Sequence, residues 1–140
     1  MHDVGHGKAI GGLAAEEIRH RTELHHMKVM EKIVARLKSI PEGKGTMFDN
    51  TMLFYFPNSG ETHHAQGTEF PFVVLSGANS KLQLGSRYIR LPYWGKEGHK
   101  TLGNFYTTIL NACGNPIRHY GDLDLSLKLE QNGPIKEFMA

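Results

Sequence analysis

Asn58, Ser59, Glu61, His63 and His64 crowd into one polar stretch, residues 58–64, between two apolar runs, TMLFYF at 51–56 and FPFVVL at 70–75. Imidazoles and a carboxylate at this density are the groups that hold a divalent cation such as zinc. His99, far along the chain, is a further candidate for the same shell. Ligands of α/β proteins gather where loops leave the carboxyl ends of sheet strands, which is where this stretch falls. The same Asn, Ser and Gly residues also serve as plain turn formers. His63 and His64 are adjacent, so one of them faces a given site while the other lies behind it or at the surface.

The chain carries nine histidines and one cysteine. On a helix, His20 and His26 flank an apolar stripe on opposite sides and His25 points away from it, as boundary residues rather than one chelate. His2 and His6 have a spacing that two imidazoles on one ion could use, and a solvated terminus explains them equally well. His119 carries no signal. Cys113 excludes an intrachain disulfide and a cysteine-rich zinc site. Its neighbours Ile109, Leu110 and Ala112 suggest a small buried thiol.

The elements that must position these groups follow from periodicity. Residues 10–38 favour helix, with Leu24, Met27, Met30, Val34 and Leu37 on one stripe. Pro41, Gly43 and Gly45 stop it. Residues 51–56 and 72–76 are expected to be neighbouring inner strands, too uniformly apolar to face water on one side. Residues 81–91, broken by Gly85 and stopped by Pro92, suggest short strands or a hairpin. Residues 100–113 return to helical spacing and end at Gly114 with Pro116 beyond. In residues 120–129 Leu alternates with polar residues, the pattern of an edge strand or extended arm. The predicted class is α/β, a three-layer sandwich fragment with a mixed, mostly parallel sheet and flanking helices.

Bulk properties narrow the function. The 140 residues are enough for one domain with a real core. Sixteen Lys plus Arg against fourteen Asp plus Glu give a formal charge of +2, so no strong field recruits nucleic acid, and no nucleic-acid partner is expected. No apolar run approaches the ~20 residues of a membrane span. Residues 1–8 lack the apolar core of a signal peptide.

Four phrases, EGKGTMFDNT at 42–51, NSGETHH at 58–64, PFVVLSG at 71–77 and NGP at 132–134, resemble the C-terminal part of a family of exported bacterial proteins, domain of unknown function fifteen-fifty-two. That family is similar in turn to the alkaline phosphatase and sulfatase superfamily, whose late helix resembles residues 98–114. The resemblance implies a single domain over residues 1–140 that is the C-terminal fragment of a longer, periplasmic or exported protein. It places Pro57, Asn58 and Ser59 where the hydrolases put metal-binding carboxylate and imidazole. Neutral oxygens there would weaken a divalent cation's binding. The superfamily's nucleophile and remaining ligands belong to an N-terminal half that precedes the resembling region. The expectation is a non-catalytic module that binds zinc weakly if at all and self-associates where the missing half would pack. The alternative is part of a metal-dependent phosphate- or sulfate-ester hydrolase.

Overall fold

The computed structural model of the chain describes residues 2–57 and 70–139. Its elements are α1 (His2–Gly5), α2 (Ala15–Lys38), β1 (Pro41–Glu42), β2 (Gly45–Thr46), a 3-10 turn (Met47–Asn50), β3 (Met52–Tyr55), β4 (Val73–Ser76), α3 (Leu102–Ala112) and a second 3-10 turn (Lys136–Phe138). They divide between two compact units, Met1–Asp49 with Pro57–Pro71, and Asn50–Phe56 with Phe72–Ala140.

In the first unit, glycine decides where the long helix begins. Gly11 and Gly12 have φ of 59° and 80°, the left-handed pair that a tight two-residue turn requires. That turn closes an Ile10–Leu13 bridge with hydrogen bonds of 3.1 and 3.0 Å. The helix therefore starts at Ala15 and not near residue 10. Glu16 and Glu17 lie in its first turn and Arg36 and Lys38 in its last, each favourable to the helix dipole. Arg19 reaches back to the carbonyl of Val4 at 3.2 Å, tying α1 to α2. Only Ala15 and Met30 of α2 are buried, while Leu24, Val29 and Ile33 stand exposed. Beyond it, β1 and β2 form a minimal hairpin. The Asp49 carboxylate accepts from the N–H and hydroxyl of Thr46 at 2.6 and 2.9 Å, an arrangement suited to Asp in turns.

The second unit is organised around Phe105, which is 4 % exposed. Phe72 stacks on its ring at 4.0 Å, Phe54 meets it edge-on at 5.8 Å, and Phe138 approaches at 6.5 Å. Strands β3 and β4 pair with each other, Met52 opposite Ser76 and Tyr55 opposite Val73. Alternation places Phe54, Phe56, Phe72 and Val74 on the face that meets α3, and Leu53, Tyr55, Val73 and Leu75 on the other. Thr101 caps α3 through a reciprocal bond pair with Asn104, and Gly114, at φ 81°, follows its end.

This architecture corrects the predicted class. The sheets are two separate two-stranded antiparallel pairs, not a mostly parallel sheet in a three-layer sandwich. A continuous apolar run specifies neither strand direction nor cover on both faces. Every residue of β3 is half-buried, and Val73 of β4 is exposed. The strands are neighbours, as expected, but antiparallel ones, which need no helical crossover. Residues 81–91 form no strand; Leu82 makes one bridge to Met139, and the chain turns at Gly85 and Ser86. Residues 120–129 form no strand either. The Asp124 carboxylate accepts from the N–H and hydroxyl of Ser126, a local bond that competes with a ladder.

Candidate functional site

Of the predicted metal ligands, Asn58, Glu61, His63 and His64 lie outside the described residues, as does Ser59. The fifth, His99, is half-buried and its Nδ1 sits 3.0 Å from the carbonyl of Pro92. A carbonyl only accepts, so Nδ1 is the donor in this contact. Among the described residues no group of three or more His, Cys, Asp or Glu side chains could hold a metal ion. The rings of His25 and His26 lie 6.3 Å apart on α2. Cys113 is exposed and free, which corrects the expected buried thiol; it caps the end of α3 and faces outward there.

What α3 does assemble is a buried polar face. Asn104, Thr107 and Thr108 are at most 1 % exposed. With Asn111 they follow the spacing that lines one side of a helix. The Asn104 amide donates to the carbonyls of Gln131 at 2.7 Å and Gly133 at 2.9 Å. The Thr108 hydroxyl accepts from the N–H of Ile135 at 2.8 Å, and that of Thr107 from Tyr120 at 3.0 Å. Asn111 donates to the carbonyl of Ile117. His119 Nδ1 donates to Gln131 at 2.8 Å. Its ring lies so close to Gly103 that an added Cβ would stand 2.6 Å from Cε1. These bonds replace the ladder that the irregular segment 117–135 lacks, as buried backbone groups require. The network is a scaffold for the loops that carry the unit's exposed surface.

Those loops present Tyr88, Tyr93, Trp94, Leu123 and Leu125, the last 94 % exposed. The Trp94 side chain lies near the Asp124 carboxylate, where two of the loops approach each other. Asp124 is held below the usual carboxylate range first by the Ser126 hydroxyl and N–H, with Trp94 adding to them. Glu130 is lowered chiefly by the backbone and side-chain N–H groups of Asn132. Arg87 fastens the neighbouring turn by donating to the carbonyls of Leu84, Gln83 and Glu137.

The β3–β4 pair has the most specific chemistry on offer. The N–H of Gly77 donates to the carbonyl of Thr51 at 2.9 Å. In the observed register, bonded pairs then recur at Leu53–Leu75 and Tyr55–Val73. The intervening residues, Met52 and Phe54 on β3 and Val74 and Ser76 on β4, aim their N–H and C=O groups at the outer edges. Among the described residues no hydrogen bond reaches those groups, and each strand has one neighbour only. The sequence pointed to the strands but not to their open edges, because edge status depends on what else pairs.

No family model, curated protein or solved structure matches the chain in the comparisons made with each.

Proposed function

We propose that this chain is a non-catalytic module, belonging to the exported family its motifs resemble, that works by binding polypeptide, with its own copies among the partners. The observation that carries this reading is the outer edges of β3 and β4, which no other strand among the described residues pairs. An extended chain adds to such an edge through main-chain hydrogen bonds, while side-chain pockets set the choice of partner. Natural proteins blunt exposed edges with Lys, Pro or bulges when pairing is to be avoided. Residues 72–80 contain no charge and no proline. Asn58 and Ser59, in the places where the resembling hydrolases use charged or imidazole ligands, support the non-catalytic part. The near-neutral charge of +2 leaves polypeptide rather than nucleic acid as the partner. No helix of the described residues is long and apolar enough to cross a membrane.

The test has two arms. Purified chain, supplied with zinc or manganese, is expected to leave aryl phosphate and aryl sulfate esters unhydrolysed, and calorimetry is expected to find no tight stoichiometric zinc site. Sedimentation velocity is expected to show association that grows with protein concentration. Metal-dependent turnover overturns the non-catalytic reading, and a monomer at every concentration overturns self-binding.

A further inference from the structure

We infer that the β4 edge pairs with the β4 edge of a second copy, antiparallel about a two-fold axis through Leu75, giving the strand order β3–β4–β4–β3. This rests on the self-binding proposed above and adds its edge, partner and register. Val74 and Ser76 are the outward-pointing residues of β4. Antiparallel strands exchange two hydrogen bonds at each narrow pair, and an outward residue must face an outward residue. Placing Val74 opposite Ser76 of the second copy uses all four outward groups on each strand and is its own mirror under a two-fold rotation. A register centred on Val74 would set Ser76 opposite Phe72, and one centred on Ser76 would set Val74 opposite Ala78, both outside the strand. Isologous contacts of this kind are the commonest route to a dimer.

The side chains favour β4 over β3. On the face that packs against α3, the new neighbours are Val74 and Ser76, both small. On the opposite face Leu75 meets Leu75 of the second copy, and Val73, 39 % exposed, comes to lie over its Gly77. The same operation on β3 would oppose Met52 and Phe54, and Phe54 is already committed to the Phe105 ring at 5.8 Å. No charge lies on β4 to repel a like strand. A foreign extended peptide would find the same backbone groups but not this matched register.

Outward N–H groups can be deleted without touching the intrachain ladder, which makes the inference testable in the full chain by sedimentation. Val74→Pro removes one outward donor and is expected to weaken dimerisation at least about tenfold, whereas Met52→Pro, the same change on the other edge, leaves it intact. Because unfolding of the hairpin by proline would also abolish association, cysteine crosslinking in a Cys113→Ser background supplies a second readout. Directly opposed residues of a wide pair stand about 4.5 Å apart at Cα, within disulfide reach, so Leu75→Cys is expected to form a covalent dimer under mild oxidation. Val74→Cys, two positions out of register with its copy, is not. Association that survives Val74→Pro, is lost in Met52→Pro, or crosslinks at residue 74 rather than 75 overturns the edge or the register while leaving self-binding in place. A monomeric wild type overturns both.

Discussion

Helix α2 has 24 residues and buries two of them, while α3 has 11 and buries five. The longer helix is the one periodicity announces most clearly, yet the shorter one organises its unit. In α2 the stabilising features are local: acidic residues at the start, basic ones at the end, and the Glu17–Arg21 pair, whose hydrogen bond and charge hold the Glu17 carboxyl below its usual range. In α3 they are long-range, with Phe105 at an aromatic centre and Asn104, Thr107 and Thr108 bonded to backbone far along the chain. Helix length therefore does not rank structural importance; the sequence separation of what a helix binds does.

The largest effect that would sharpen this contrast is expected from Phe105→Ala. Removing a buried aromatic costs roughly 3–5 kcal/mol, against roughly 0.5 kcal/mol or less for the exposed Leu24→Ala on α2, both read by urea denaturation. Equal losses would break the comparison. Next comes Asn104→Leu, which keeps the branching of the side chain but strands the carbonyl of Gly133, leaves that of Gln131 to His119 alone, and removes the capping bond. About 2–3 kcal/mol is expected, with amide exchange near residues 131–135 accelerating before the rest of the unit. Were those amides to stay protected, the network would not be what holds the segment.

Gly103→Ala sets two effects against each other. Alanine favours helix by about 1 kcal/mol, but its methyl would meet the His119 ring and the carbonyl of Tyr120 at 3.0 Å. A net destabilisation of about 1–2 kcal/mol is expected, and a stabilised variant in thermal melts would show that the ring gives way freely. The smallest effect concerns pH. Asp124 and Glu130 have lowered carboxyl values in the fold, so their contribution is fully present above the ordinary carboxylate range near pH 4. It is lost as pH falls through the lowered folded values. Asp124→Asn is expected to flatten that acid limb slightly and to alter Trp94 fluorescence, and an unchanged limb would show that the turn bonds survive protonation.

The sequence by itself determined the elements whose information is local. Helix α2 ends at Lys38, where Pro41 and the glycines stop it, and α3 lies between Thr101 and Gly114, because caps, periodicity and chain breakers act within a few residues. Two apolar strands between turn formers were legible for the same reason. The tertiary structure alone decided that those strands run antiparallel, that no other strand among the described residues pairs with their outer edges, and that Asn104, Thr107 and Thr108 rather than solvent-facing chains are among the most buried side chains. Of the candidate metal residues, it shows His99 bonded to the carbonyl of Pro92. These are matters of pairing between residues tens of positions apart, and a polar side chain looks the same in sequence whether its partner is water or a distant carbonyl.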